Sequence, residues 1–586
     1  MVRIHSLRPF GAERPGLSNA PHVNLDSGKQ FLMRPHMASN PAGGAVKVTA
    51  SRATLGESGI IALNGAKIED VGWIHFGAGN FATTHFIPIM GGLKRKGTYR
   101  GMGILVQPRG DDFVARVHKN SGEYSYDILP PNGTPKEETV NCLAGAISLN
   151  PTSRVGLNDD ATDGAKALSS LGRKLKVGQK ICISLGITEG AYNKDSQVMK
   201  DLTSFLFGIY GRELGSSKIG YPIHLYSTDN LDSIDTLKNC LLGIAKTYND
   251  DPDFKTWLSN PNLLMFHEMM VDAAAVSDEN DPLRKQREPL PTKAPPLVIY
   301  DSQKSDPSMQ IPIPFAQFGS NVIVTDDIKI FEAHKKRKLL GLLSVHSSLV
   351  PLAILLGYVR VKDAMKDIDI REYVEKIAFH CAAPALKKNY HVDDISADEL
   401  LQEWVCERLP NENLPHHNLA IFRDHALKMN WRIAPLIELV KDDPNTLRYL
   451  TASVVCGLNA LTPIEKVRDL SDGKVVYKGK AQKSSCWVGY FGKIESPPRS
   501  GLYIYSSDMT YEFISSPELE GLISLRGTHN EATVRNLLLG TNGVLRKMLG
   551  DDLARNEKVT APIIDGYIKT IGHGMPLREY IRGPLS

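Results

Sequence analysis

The sequence predicts a two-part α/β protein, a doubly wound parallel sheet followed by an all-helical domain. Between Val71 and about Asp326, short β-rich runs alternate with helical patterns, and most of these runs are continuously apolar. A parallel sheet covered by helices on both faces requires such strands, because both sides of each strand are buried. After Asp327, long helical segments dominate to the end of the chain, so the predicted boundary lies near residue 328.

Each element of this prediction rests on a particular stretch. The candidate strands are Val71–Phe76, Gly103–Gln107, Lys180–Ile187, Ile223–Ser227, Leu263–Phe266, Leu297–Tyr300 and Asn321–Thr325. The candidate C-terminal helices cover roughly 330–358, 371–384, 397–408, 417–441, 446–460, 530–549 and 559–571. The stretch 470–512, rich in Gly, Ser, Lys and aromatic residues, is expected to be an irregular or β-hairpin insertion. The expected domains are therefore 65–328 and 329–586, preceded by a leader at 1–60.

The composition is that of an ordinary globular protein. The chain has 586 residues, of which 42% are hydrophobic and 23% charged, and its net charge is +4. This near neutrality gives no support for a nucleic-acid or anionic membrane partner, which would need a concentrated basic face. The cysteines include no CxxC pair and no His/Cys cluster has zinc spacing, so we expect a reducing compartment and no metal.

Two segments bear on the location of the protein. Residues 1 to about 55 are rich in basic residues and Ser, with only Glu13 and Asp26 as acids. This composition fits a disordered tail on a cytoplasmic protein, and it also fits an organelle transit peptide. The stretch Leu339–Val359 carries no formal charge and would pass a hydropathy scan for a membrane span. Because it contains polar residues and a proline and no second span accompanies it, we interpret it as the buried central helix of a soluble domain.

The first predicted strand runs into a GxGxxA turn, whose residues are Gly77, Ala78, Gly79, Asn80, Phe81 and Ala82. In such a turn the first glycine makes a tight bend, the second lets the backbone approach a pyrophosphate, and the small third residue lets helix pack on strand. The following helix N-terminus favours the phosphates. The turn therefore predicts a Rossmann-like domain that binds NAD or NADP. After the second strand, Asp111 suits a ribose 2′-hydroxyl and Arg109 a 2′-phosphate, so the choice of cofactor stays open.

Further motifs follow the turn in a fixed order. The turn itself reads "IHFGAGNF", and it is followed by "ITEGAY" from Ile187, "STDNL" from Ser227, "MMVD" from Met269, "VTDDI" from Val324, "ERLPNENL" from Glu407 and "GMPLREYI" from Gly574. Together they resemble the long-chain mannitol dehydrogenases and mannitol-1-phosphate 5-dehydrogenases, the polyol-specific dehydrogenases, over about residues 70 to 583. The resemblance implies hydride transfer between NAD(P) and a secondary alcohol of a polyol, sugar acid or sugar phosphate.

The resemblance also implies an active site. In the family's catalytic helix a lysine of lowered pKa takes the alcohol proton, while an Asn and a His hold the alkoxide. Lys338 and His346 have the matching separation of eight residues, roughly 12 Å of helical rise, whereas Lys335 would be roughly 16 Å away. Asn230, in the "STDNL" motif, is retained from the family pattern and is a third candidate catalytic residue. On the substrate side the matching residues are Asp272, Arg408 and Asn411, and His416 or its neighbour His417 falls near a substrate-binding lysine of the family.

The chain also departs from the family pattern. Leu343 stands where the catalytic helix has its Asn, Ile234 replaces a second Asn, and Ala273 replaces an Arg. Losing a preorganised donor to an oxyanion typically costs ~10²–10³ in rate. Two hypotheses therefore remain: a polyol-type dehydrogenase, which the retained residues favour, and a catalytically impaired relative that acts as a nucleotide-binding sensor or interaction protein.

Overall fold

The computed structural model describes residues 64–150, 153, 164–187, 191–214, 221–228, 233–247, 252–278, 280–291, 295–306, 309–319, 321–390, 401–471, 473–482 and 509–585. The predicted leader and Asn230 lie outside these residues. In chain order the strands are β1 Val71–Phe76, β2 Met102–Gln107, β3 Glu123–Ile128, β4 Lys136–Asn141, β5 Leu143–Ser148, β6 Cys182–Leu185, β7 Ile223–Ser227, β8 Leu264–Val271, β9 Ala275–Ser277, β10 Lys285–Arg287, β11 Leu297–Tyr300, β12 Val322–Thr325, β13 Glu465–Asp469, β14 Val475–Lys480 and β15 Thr510–Ser515.

The main sheet has eight strands in the order β12-β11-β8-β7-β6-β1-β2-β5. The chain runs outward from β1 through β2 to β5 and then returns to β6 on the other side of β1, and β1 pairs in parallel with both neighbours. This reversal next to β1 is the switch point at which open α/β sheets bind ligands. The doubly wound α/β prediction is confirmed, with two differences: β5 had not been predicted, and β11 runs antiparallel to β8.

Helices cover the sheet on both faces and pack through buried apolar side chains. In the first part of the chain the helices are Ile68–Asp70 (3₁₀), Ala82–Phe86 (π), Ile87–Arg95, Asp112–Lys119, Gly164–Lys174, Gln197–Leu214, Ser233–Ala245, Pro252–Ser259 and Phe315–Gln317 (3₁₀). The core on one face gathers Phe76, Leu185 and Phe205, and that on the other gathers Trp73, Phe86 and Tyr226. Burial on both faces is the physical reason for the continuously apolar strands.

A second, four-stranded sheet in the order β4-β3-β10-β9 lies beside the first helix and had not been predicted. Strand β10 pairs in parallel with β3 and antiparallel with β9, and it packs against the helical turn Ala82–Phe86. The strands of this sheet are short or largely polar, so they lack the apolar runs by which the other strands were found.

The second part of the chain is predominantly helical, as predicted. Its helices are Ile328–Lys336, Arg337–Leu342 (π), Leu343–Leu355, Val361–Ala364, Ile368–Glu375, Lys376–Ala382 (π), Ala383–Asn389, Trp404–Arg408 (π), Asn418–Phe422, His425–Arg432, Ala434–Val440, Pro444–Leu461, Pro517–Leu525 (3₁₀), Glu531–Leu539, Val544–Leu549, Asp551–Ala554, Glu557–Tyr567, Ile568–Gly572 (π) and Leu577–Leu585. The single helix predicted over 417–441 was wrong, because Asp424 adopts a left-handed conformation with φ 54°. The helix predicted over 530–549 was also wrong as one piece, because it is interrupted at Gly540–Gly543.

The predicted insertion at 470–512 includes part of a third sheet. Strand β14 pairs antiparallel with both β13 and β15, and residues 483–508 between β14 and β15 lie outside the described residues. Within the described residues, Ile328–Leu355 is long and apolar enough to cross a membrane, and 89% of its apolar window is buried inside the protein. It packs at the centre of the helical core, whose other members include Leu450, Val454 and Tyr567.

Two wide π-helical turns interrupt regular helices near the carboxyl ends of the sheet strands. In Ala82–Phe86 the N–H of Ile87 bonds to the carbonyl of Ala82, and Pro88, which has no N–H, follows within the first turn of the next helix. In Arg337–Leu342 the N–H of Leu343 bonds to the carbonyl of Lys338. Such turns are frequent at functional sites because one extra residue changes which side chains face a common space.

Candidate active site

The GxGxxA turn Gly77–Ala82, which is the predicted cofactor turn, joins β1 to its helix at the switch point of the main sheet. Gly77 has φ 121°, and a Cβ built on it would lie 2.3 Å from the carbonyl oxygen of Gly186 at the end of β6. Only glycine fits there, because both the conformation and the close approach exclude a side chain. A Cβ on Gly79 would meet no protein atom within 4 Å, so the space beside this residue is open. The turn therefore fits the phosphates of a dinucleotide, which would occupy that space.

Asn80 begins the helix after the turn, and the small sheet fixes its side chain. Its Oδ1 accepts hydrogen bonds from the hydroxyl of Ser277 at 2.8 Å and from the ammonium of Lys285 at 2.9 Å. Burial, followed by the charge of Arg116, lowers the pKa of Lys285 to about 8, while Asp281 acts in the opposite direction. Because Oδ1 is engaged in this way, the amide N–H groups of Asn80 point away from Lys285.

The end of the second strand carries the residues expected to read the ribose. The side chain of Gln107 bonds to the carbonyl of Arg109 and the N–H of Val114, and thereby shapes the loop. Asp111 precedes the helix Asp112–Lys119 and is partly exposed, whereas Arg109 is exposed. Both side chains remain available at this loop, one for each cofactor chemistry.

Lys338 and Lys335 have different partners. The Nζ of Lys338 donates to the carbonyl of Val271, the last residue of β8, at 2.5 Å, and it lies 6.0 Å from the ring centre of Phe81 in the cofactor turn. The Nζ of Lys335 instead donates to the carboxylate of Glu268, also on β8, at 2.7 Å. Lys338 therefore faces the turn, while Lys335 forms a buried ion pair one helical turn earlier.

His346 lies two turns beyond Lys338 in the helix Leu343–Leu355 and contacts His416. The two rings meet edge to face with their centres 5.5 Å apart. Burial, with smaller contributions from the charges of His416, Arg432 and Arg408, holds the pKa of His346 well below its usual range. Burial likewise lowers the pKa of His416 to about 4. Both rings are therefore neutral near pH 7, and the Nε2 of His346 has no hydrogen-bond partner among the described residues.

Arg408 joins the helical part to the end of β8. Its guanidinium donates to Asp272 at 3.1 Å and through two nitrogens to Glu288. Burial raises the pKa of Glu288, and the charge of Arg408 opposes that effect. Asn411 is engaged elsewhere: its Nδ2 donates to the carbonyl of Leu129, and its Oδ1 accepts from the N–H of Asn413. Asp272 and Arg408 thus meet as an ion pair, and the amide of Asn411 links the helical part to the loop after β3.

Leu343 is the first residue of the helix that carries His346. It is the one residue of 337–357 that keeps partial exposure, and its side chain also packs against the helical core. Since every other side chain of that stretch is buried, position 343 is where the central helix meets open space.

Several buried polar residues around these groups were not predicted from the sequence. They are His85 on the π turn after the cofactor turn, Arg287 and Glu288 at the end of β10, and Arg337 beside Lys338. Burial lowers the pKa of Arg337 to about 10, and the nearby charge of Asp272 acts in the opposite direction. Nothing in the local sequence signals these residues, because "KQRE" resembles a solvated charge run and a lone histidine in an apolar helix resembles a core residue.

Comparison with protein families and curated proteins finds dehydrogenase relatives. Residues 330–461 match the family model described as the mannitol dehydrogenase C-terminal domain. An altronate oxidoreductase of Escherichia coli O7:K1 is 28% identical over 245 residues, which cover 40% of this chain and 47% of that protein. The altronate oxidoreductase of Escherichia coli O1:K1 is 28% identical over 209 residues, 34% of this chain and 41% of the relative. The match therefore spans less than half the length of these relatives.

Solved structures share the fold over most of the chain. The mannitol 2-dehydrogenase of Pseudomonas fluorescens, solved as a ternary complex with NAD and D-mannitol, has a TM-score of 0.63 at 17% identity, covering 89% of this chain and 96% of that one. A D-sorbitol dehydrogenase in substrate-free form has a TM-score of 0.58 at 16% identity, covering 88% of this chain and 96% of that one. At such identities the likeness shows the fold.

Proposed function

We propose that this chain, a divergent member of the polyol dehydrogenase family, is an NAD(P)-dependent oxidoreductase that acts on a secondary alcohol of a polyol, sugar acid or sugar phosphate. The observation that carries the proposal is the position of Lys338. Its buried Nζ lies between the end of β8 and Phe81 of the cofactor turn. The names of the relatives, which are altronate, mannitol and sorbitol enzymes, support this substrate range.

The residues of the chain divide the reaction between them. NAD(P)⁺, when bound at the Gly77–Phe81 turn, supplies the acceptor for the hydride that leaves the carbinol carbon. The amine of Lys338 takes the hydroxyl proton, so the products are a ketone, NAD(P)H and one proton. The neutral ring of His346 has an unpartnered nitrogen with which to hold the substrate oxygen. The Arg408–Asp272 pair keeps the guanidinium in place beside the substrate space.

The proposal also explains how the dinucleotide is held. The open space beside Gly79 admits the pyrophosphate, and the helix beginning at Asn80 directs free N–H groups toward it. Because Ser277 and Lys285 engage the Oδ1 of Asn80, this amide is preset as a donor. The two residues come from the small sheet, which thereby contributes to the cofactor site.

A two-stage experiment tests the function. The first stage measures binding of NADH and NADPH by the quenching of protein fluorescence, which needs no substrate. The second follows formation of reduced cofactor with D-mannitol, D-altronate and D-mannitol 1-phosphate. Turnover with any of them, abolished in Lys338→Ala but retained in the surface variant Lys304→Ala, supports the proposal. Dinucleotide binding without turnover of any secondary alcohol would favour the alternative, a nucleotide-binding sensor.

A further inference from the structure

Positive charge exceeds negative charge in the interior around the candidate active site. The buried cations of this cluster are Arg287, Arg337 and Arg408, which lie near Lys338, and the buried carboxylates are Asp272 and Glu288. Arg408 forms ion pairs with both carboxylates, and Asp272 is close enough to Arg337 for its charge to act on the pKa of that arginine. Burying a cation without a compensating anion is costly, so a site of this kind indicates an anionic ligand.

Among these cations, Arg287 has the most side-chain nitrogens without a hydrogen-bond partner among the described residues. Only 5% of the residue is exposed, yet its Nε and Nη1 have no hydrogen-bond partner among the described residues. Its guanidinium stacks on Tyr126 with the charge 5.2 Å from the ring centre, which holds the plane in place but engages no N–H group. A fixed guanidinium with unused N–H groups matches the geometry of a carboxylate or a phosphate.

His85 lies on the helical turn against which β10 packs. It is fully buried, and neither ring nitrogen makes a hydrogen bond of good geometry among the described residues, although the backbone of Ala273 is close enough to act on the ring. Burial, followed by the charges of Arg287, Lys338 and Arg408, holds its pKa well below the usual range. The ring therefore stays neutral and carries one N–H donor. The rings of His85 and Phe81 meet edge to face with their centres 5.1 Å apart, and Phe81 is the residue that Lys338 faces. Arg287 and Lys338 are thus both near enough to His85 for their charges to act on it.

A carboxylate of the protein itself is the alternative partner for Arg287. Glu138 on β4 accepts a hydrogen bond from the hydroxyl of Tyr126, and the charge of Arg287 contributes to the low pKa of Glu138. The side chain of Glu138 is partly exposed, and Nε and Nη1 of Arg287 remain unpartnered beside it. Glu138 therefore moderates the charge of Arg287 without using these donors.

We propose that Arg287 and His85 form an oxyanion subsite that binds the carboxylate or phosphate end of the substrate. The secondary alcohol would then lie against Lys338 and His346. This inference rests on the proposed function and narrows it: the substrate is a sugar acid or a sugar phosphate, and an uncharged polyol is a poor substitute. A carboxylate and a phosphate share the chemistry that the subsite recognises, and the test separates them.

The test compares Arg287→Gln with the wild type on D-mannitol, D-altronate and D-mannitol 1-phosphate. Arg100→Gln is the matched control, since it removes the same charge from an exposed position. A hydrogen bond to a charged group is worth enough that KM for the anionic substrate should rise roughly 10- to 100-fold, with a smaller effect on kcat. The KM for D-mannitol, which has no anionic group, should change much less than that for the anionic substrate, and Arg100→Gln should behave as the wild type. The anionic compound with the higher wild-type kcat/KM identifies the oxyanion as carboxylate or phosphate.

Folding is monitored separately, because Arg287 also packs on Tyr126. Thermal unfolding is recorded for every variant, and Arg287→Lys, which keeps the charge but loses the fork of donors, should fall between wild type and Arg287→Gln in KM. In addition, D-altronate or D-mannitol 1-phosphate should raise the melting temperature of the wild type in the presence of NADH and fail to raise that of folded Arg287→Gln. An equal loss of melting temperature and of activity on all three substrates would show a structural role and overturn the inference.

The two proposals can fail separately. The wild type could oxidise D-mannitol as efficiently as the anionic compounds, and Arg287→Gln could change kcat/KM for all three alike. In that case the enzymatic proposal is supported and the oxyanion subsite is refuted. If no compound is oxidised although NADH binds, the enzymatic proposal fails. The thermal shift with the anionic compounds then still decides whether Arg287 binds them.

Discussion

The cofactor turn offers a matched pair of substitutions whose effects should be opposite. In Gly77→Ala the new methyl group would lie 2.3 Å from the carbonyl oxygen of Gly186, on a residue whose φ is 121°. The conformation alone costs about 1–3 kcal/mol, and the backbone contact adds to it, so the melting temperature should fall. In Gly79→Ala the methyl group meets no protein atom within 4 Å, and φ is outside the left-handed range. The folded state should therefore be unaffected, or stabilised by about 0.4–1 kcal/mol.

The effect of Gly79→Ala should appear in dinucleotide binding instead. Its methyl group occupies the space that the pyrophosphate needs and displaces it from the N–H groups at the start of the helix. The loss of one charge-assisted hydrogen bond, about 1.5–3 kcal/mol, weakens NADH binding roughly 10- to 100-fold, and the larger Gly79→Val should abolish it. Fluorescence titration with NADH beside thermal unfolding measures both quantities. A Gly79→Ala protein that melts as the wild type and binds NADH equally well would refute the assignment of the turn.

Three further predictions concern the pair Lys338 and Lys335, Leu343, and Lys285. Lys338→Ala should lower kcat by ~10²–10⁴ without changing NADH affinity. Lys335→Met should mainly lower the melting temperature, because it leaves Glu268 without its buried partner. The reverse pattern would make Lys335 the base. Leu343→Asn should raise kcat, by less than the ~10²–10³ of a full oxyanion donor, and a lower melting temperature with unchanged kcat would count against it. Since the pKa of Lys285 is lowered from 10.5 to about 8, the unfolded state binds more protons than the folded state between these pH values. The stability of the wild type relative to Lys285→Met should therefore rise from pH 8 to 10.5, by up to about 3 kcal/mol. Chemical denaturation across this range measures the difference, and parallel curves for the two proteins would contradict the prediction.

The parts of the fold that could be predicted from the sequence are those with strong local patterns. Strand β1 and its turn combine an apolar run with glycines that only one geometry explains, and both were found. The central helix was found because it has a long uncharged stretch. Strands β9 and β10 have three residues each and carry little apolar character, so no periodicity marks them. Their position depends on pairing with β3, which lies more than a hundred residues earlier, and local patterns carry no information about such pairing.

The same distinction applies to the candidate site. Residues within motifs, such as Asp272 and Arg408, were predicted and lie together although 136 positions separate them. Arg287 and His85 could not be predicted, because their significance lies in the absence of partners in a buried place. Burial and hydrogen bonding are properties of the assembled structure, and an arginine in a run of charged residues shows neither.

The choice between Lys335 and Lys338 shows what spacing along a helix can and cannot decide. In the sequence, Lys338 is favoured over Lys335 by its shorter axial distance from His346. In the structure the difference is one of direction, since Lys335 is paired with Glu268 and Lys338 reaches Val271 and the cofactor turn. A π turn that begins at Arg337 widens the helix between them, and its hydrogen bond joins Lys338 to Leu343 rather than to the fourth residue on. Counting in steps of 3.6 residues therefore misjudges which side chains share a face beyond this turn. For that reason the partners of the two lysines, rather than their distances from His346, support Lys338 as the base.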